Sequence, residues 1–163
     1  MITEVQNADE IFNAIADELE PFAKSNGGVF SRAEDPFQLI ELLGQGPGMF
    51  RVILNDDGDE QAGDSPRSGI VRIRYKITVS HNRGLPVTLG QAVARPVGNT
   101  PSLLARVTLI RDFVRQLTFP DGATSGRLDY GGREVVRVED LPMDAYALNF
   151  SILAALPRFT ITN

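Results

Sequence analysis

From Ile70 to Val79 the chain reads "IVRIRYKITV", and from Val71 onward its side chains alternate without a fault. Val71, Ile73, Tyr75, Ile77 and Val79 fall on one side; Arg72, Arg74, Lys76 and Thr78 fall on the other. A period of two over this length commits the segment to a β-strand with one face on a core and the other against water or a partner. A slip of one residue would drive the cations into the core, so the register is strongly specified. Such a strand is not stable alone. The rest of the chain must supply both a sheet and a cover for its apolar face.

The same alternation recurs nearby. Phe50, Val52 and Leu54 interleave with Arg51 and Ile53, which predicts a second strand. Between the two strands lies "NDDGDEQAGDSPRSG" (55–69), with five carboxylates and with glycines at 58, 63 and 69. The pair reads as a long β-hairpin whose tip is a flexible acidic loop over 55–69. Loops of this length inside a domain usually serve a purpose or stay disordered. "DDGDE" brings its glycine too early for a calcium loop and lacks the bidentate glutamate at the twelfth position, so it is not an EF-hand.

Two amphipathic helices are expected as the cover. Residues 7–24 place Ile11, Ile15, Leu19 and Phe22 at helical spacing, and Asn7 with Glu10 forms a capping-box pattern. Pro21 threatens the last turn, and "SNGG" ends the helix. Residues 100–117 place Leu103, Leu104, Val107, Ile110, Val114 and Leu117 on one stripe and Arg106, Arg111 and Arg115 outside, with Thr100 as cap and Pro101 in the first turn. Toward the end, "RLDYGGREVVRVEDLPM" reads as a hairpin turning at Gly131-Gly132, and "DAYALNFSIL" as another strand. Residues 36–43 fit either a helical turn or a strand, and 81–99 are loop-like. The expected fold is therefore α+β: a single domain over 1–163, with two amphipathic helices on one face of a mostly antiparallel four- to five-stranded sheet. Tyr146, Leu148, Phe150, Val71, Ile73, Ile77, Leu104 and Ile110 are the expected common core.

Signals for chemistry are weak. The chain has no cysteine, which excludes disulfides, thiolate catalysis and the commoner structural zinc sites. Its one histidine, His81, cannot form a two-histidine metal site and reads as a strand-end residue without a role. The glycines of "GQGPG" (44–48) precede a strand rather than a helix, which reads as a turn and not a phosphate cradle. No serine-hydrolase elbow or Walker motif is present, so neither a cofactor nor a metal is expected. The polar N-terminus is not a leader peptide, and no apolar run is long enough to span a bilayer, so no membrane partner is expected.

Charge is more informative. The net charge of −5 argues against a dedicated nucleic-acid binder. Residues 1–69 carry 4 basic and 14 acidic side chains, a balance of −10, while residues 70–163 carry 12 basic and 7 acidic, a balance of +5. A protein with an acidic and a basic flank can meet a copy of itself head to tail. The candidate contact residues are Asp56, Asp57, Asp59, Glu60 and Asp64 on one side, and Arg72, Arg74, Lys76, Arg106, Arg111 and Arg115 on the other.

The order of features, with the phrases "RVILNDDG" (51–58) and "LPMDAYALNF" (141–150), resembles the small tail terminator or tail completion proteins of long-tailed bacteriophages, the minor tail protein U and Mu-type Gp37 groups. The resemblance covers most of the chain but rests on layout, not on a catalytic signature. It implies a structural virion protein, not an enzyme, that assembles into a homohexameric ring. Such a ring caps the tail tube, ends its polymerisation and joins the tail to the head or neck. The implied partners are other copies of the chain, the tube protein, head-tail connector proteins, the sheath where the tail is contractile, and passing DNA without sequence readout. The implied location is the head-proximal end of the tail, after assembly in the host cytoplasm. The competing readings are a non-catalytic adaptor acting as a monomer or dimer and, third, a small α+β enzyme.

Overall fold

The computed structural model describes residues 8–33, 38, 50–63, 69–82, 101–120, 123–137 and 143–155. Helix α1 spans Ala8–Ser25, strand β1 Val29–Ala33, β2 Phe50–Gln61, β3 Ile70–Asn82, helix α2 Leu103–Gln116, β4 Asp129–Val136 and β5 Met143–Ala155. The strands form one sheet in the order β1-β2-β3-β5-β4. β1 runs parallel to β2, and every other neighbouring pair is antiparallel. The fold is α+β, as expected. The segment 64–68 that would close a hairpin between β2 and β3 lies outside the described residues, as do Asn7, Thr100, the glycines of "GQGPG" and most of 36–43.

Register explains the layering. Val79 pairs with Val52 and Tyr146, Ile77 with Leu54 and Leu148, Tyr75 with Phe150, and Ile73 with Ile152. These rows share one face, where they meet Ile11, Ile15 and Leu19 of α1 and Val107, Ile110 and Val114 of α2 in a single buried cluster. Phe22 and Phe113 stack at 3.8 Å between ring centroids and join the two helices above the sheet. Arg32 of β1 reaches Asp17 of α1 at 3.1 Å and ties the first helix to the parallel edge. Of the expected core, Leu148, Phe150, Ile73, Ile77 and Ile110 belong to this cluster, and Val71 and Tyr146 pack against it half-buried. Leu104 is a correction. It is half-buried and outside the cluster, whereas Leu103 is fully buried, because the stripe is centred one residue earlier.

Both helix ends follow local rules. Pro21 does not end α1, which continues to Ser25. Gly27 then takes φ +77°, Gly27 N donates to Lys24 O at 3.1 Å, and Gly28 N donates to Ala23 O at 2.9 Å, a Schellman closure. α2 begins later than the sequence implies. Its cap is Ser102, whose hydroxyl accepts from Ala105 N at 3.2 Å, which leaves Pro101 before the helix instead of in its first turn.

The diglycine expectation is also corrected. β4 runs straight through Gly131 and Gly132, and its register with β5 shifts between Tyr130 and Gly132. Gly132 takes φ +109°, a conformation open to glycine and strained for other residues, so the pair forms a bulge and not a turn.

Candidate assembly surfaces

The acidic run is mostly strand. β2 continues through Asp56, Asp57, Asp59 and Glu60 to Gln61, so 55–61 of the expected loop over 55–69 are strand. A bulge is what lets these polar residues continue the ladder. Asp56 lies opposite Tyr75 and Asp59 opposite Ile73, so Asp57 and Gly58 together face Arg74. The Asp56 carboxylate accepts from Gly58 N at 2.7 Å, and Gly58 takes φ +86°. "NDDGD" is therefore an aspartate-closed bulge.

The candidate residues divide between the two faces of the sheet. On the face opposite α1 and α2, Glu60 lies 3.7 Å from Arg72 and 4.0 Å from Arg74. Lys76 lies 3.9 Å from Asp57 and 2.7 Å from Glu134 of β4. The hydrogen bond that Lys76 donates to Glu134 holds the ammonium above its usual pKa, with burial opposing it. These charges thus meet as a cross-strand ladder within one subunit. Exposed pairs of this kind contribute about 0–1 kcal/mol each, so the ladder leaves the surface polar without locking it. Ser80 and Thr78, farther along the same face, are buried, and their hydroxyls have no hydrogen-bond partner among the described residues.

Arg106, Arg111 and Arg115 stand on α2, on the opposite side of the sheet. Arg111 pairs with the adjacent Asp112 at 2.7 Å, and Arg115 is exposed in the last turn, where a cation complements the helix dipole. Arg106 is different. Its guanidinium lies 4.3 Å over the Phe50 ring, half-buried, with Nη1 buried and unpartnered and with no carboxylate beside it among the described residues. Burial lowers its pKa from the ordinary arginine value. Asp64 lies outside the described residues.

Beside Arg106 sits the one histidine. Strand register places His81 between Phe50 and Asp144, and its Nδ1 is buried without a partner among the described residues. Burial lowers the His81 pKa, the Arg106 charge lowers it further, and Asp144 acts in the opposite direction. Sequence reasoning singled out Arg106 and His81 separately but could not join them, because 25 positions separate them in the chain. Only the register that brings Phe50 and His81 side by side makes the corner.

Two further features complete the inventory. Tyr75 is 1% exposed, its hydroxyl has no partner among the described residues, and burial with the charges of Asp56 and Asp9 raises its pKa. A groove of about 230 Å³ is lined by Ile70, Ala123, Thr124, Ser125 and the end of β5. Among the described residues no group of three or more His, Cys, Asp or Glu side chains is placed to hold a metal ion, and no helix is long and apolar enough to cross a membrane.

No family model matches the chain, and no curated protein does.

Proposed function

We propose that this chain is a structural assembly subunit of a phage tail, a tail terminator. Copies form a ring on the last ring of the tail tube, stop its growth and present a surface to the head connector. The reading is carried by one observation: α1 and α2 cover one face of the sheet, and part of the opposite face bears a ladder of charged side chains from Glu60 and Asp57 of β2 through Arg72 and Lys76 of β3 to Glu134 of β4, while Ile53, Thr78 and Ser80 farther along that face are buried. A charged ladder on a sheet backed by a buried core suits a repeated protein contact better than it suits a pocket for a small substrate. The layout phrases at 51–58 and 141–150 support the same reading, as does the division of charge between the two halves of the chain. The ring lumen passes DNA without base readout, in keeping with the net charge of −5.

Sedimentation velocity and negative-stain imaging test this, with the chain alone and with purified tail tube protein. Rings of uniform diameter, free or seated on tube ends, are the expected result. A mass of one or two chains at every concentration, with tubes left to grow unchecked, favours the adaptor reading instead.

A further inference from the structure

A head-to-tail ring needs two different surfaces on each subunit, and the ion pairs of the structure narrow the choice of residues. Four of the six basic candidates already have an acid: Arg72 and Arg74 share Glu60, Lys76 holds Glu134 and Asp57, and Arg111 holds Asp112. Arg115 is exposed to water. Arg106 alone combines partial burial with the lack of a carboxylate among the described residues, and its stack on Phe50 offsets only part of that cost.

The acids narrow in the same way. Asp57 and Glu60 belong to the ladder, and Asp56 is spent on Gly58 N. Asp59 is exposed and has no partner among the described residues. Its register opposite Ile73 places it on the helix-bearing side of the sheet, the side of Arg106. Yet the two cannot meet within one chain. Arg106 stands over Phe50 at the start of β2, and Asp59 lies nine positions along the same strand, roughly 30 Å away at the rise of a β-strand.

We propose that Arg106 of one copy receives the Asp59 carboxylate of the next, a heterologous contact that joins the two ends of β2 around the ring. The proposal rests on the ring reading above and names the residues that make its contact. A carboxylate arriving at Arg106 gives the half-buried guanidinium the charged acceptor it lacks, and such a pair is stronger than one in water because the corner is already partly desolvated.

Charge reversal in separate copies tests it. Copies with Arg106→Glu set Glu against Asp59 at every contact, and copies with Asp59→Arg set Arg against Arg106. Each variant alone should lose assembly on the tube, by tenfold or more in half-saturating concentration. An equal mixture should regain it, because alternation around an even-numbered ring makes every contact complementary. A structural role for either residue could not be rescued by mixing. If the single variants assemble as wild type does, or if the mixture stays inactive while wild type forms rings, the contact is wrong and the ring reading stands. If wild type forms no ring, both fall.

Circular dichroism checks that each variant folds. Should Arg106→Glu unfold, the chain's lack of cysteine offers a second route. Copies carrying Asp59→Cys and copies carrying Arg106→Cys, treated with a short bismaleimide, should form cross-linked dimers only when mixed. Cross-linking no greater in the mixture than in either variant alone overturns the proposal.

Discussion

Gly28 lies flat against the ring of Phe50, so close that a Cβ at position 28 would stand 2.5 Å from Phe50 Cζ. The glycine that completes the closure of α1 is therefore also the floor of the corner where β2 begins. The ring cannot swing aside easily. It is 1% exposed and has the Arg106 guanidinium 4.3 Å over its face. Gly28→Ala should consequently destabilise the protein by about 1–3 kcal/mol, the usual cost of overpacking, and Phe50→Leu in the same chain should recover part of it. Urea unfolding of the two single variants and the double variant measures this. Additive losses would show that the ring is not the obstacle.

The centring of α2 on Leu103 and Ile110 predicts unequal costs for neighbouring leucine and isoleucine truncations. Ile110 is fully buried between the helix and the sheet, so Ile110→Ala should cost about 2–5 kcal/mol. Leu104 is half-buried outside the cluster, and Leu104→Ala should cost less than half as much. Equal losses in denaturant titrations would mean that the stripe is centred elsewhere.

Stability should fall with acid in a way that depends on His81. Burial, chiefly, and then Arg106 hold its pKa below the usual 6.5, against the pull of Asp144. The unfolded chain therefore takes up the proton first as pH falls, and stability drops from about pH 6.5 downward until the folded protein is protonated as well. His81→Gln should flatten the stability profile between pH 7.5 and about 5, above the range where carboxylates begin to titrate. Matched slopes for wild type and variant, from urea titrations at several pH values, would rule out the effect.

The diglycine of β4 gives a conformational prediction without a packing term. A Cβ at position 132 would touch nothing within 4 Å, so the cost of Gly132→Ala comes from its φ of +109° alone and should be about 1–2 kcal/mol. Gly131 has ordinary contacts of 3.6 Å to Asn149 O and no positive φ, and Gly131→Ala should cost less. A thermal-melt comparison of the two decides between a bulge and a turn, since a two-residue hairpin turn of type I′ or II′ would need positive φ at the first glycine and make Gly131→Ala costly.

Alternation and helical spacing determined most of the architecture. The apolar faces of 71–79 and 146–152, the stripes of both helices and the α+β arrangement follow from where water-averse side chains recur, and burial rewards those positions wherever the strands end up. Local chemistry also settled the end of α1, where successive glycines close the helix without any distant partner. Three things depended on the tertiary structure. Gly131-Gly132 carries the same local signal in a turn and in a bulge, and only pairing with β5 chose the bulge. The acidic residues 56–60 look like a loop because charge is rare in strands, yet the edge formed by β3 gave their backbone a ladder and gave Asp57 and Glu60 cations to face. The corner of Phe50, His81 and Arg106 joins residues from β2, β3 and α2, and no spacing rule connects them. Sequence periodicity reports which side of an element faces the core; it carries no information about which neighbour lies across the sheet, and that neighbour decides which charges are already paired and which still require a partner.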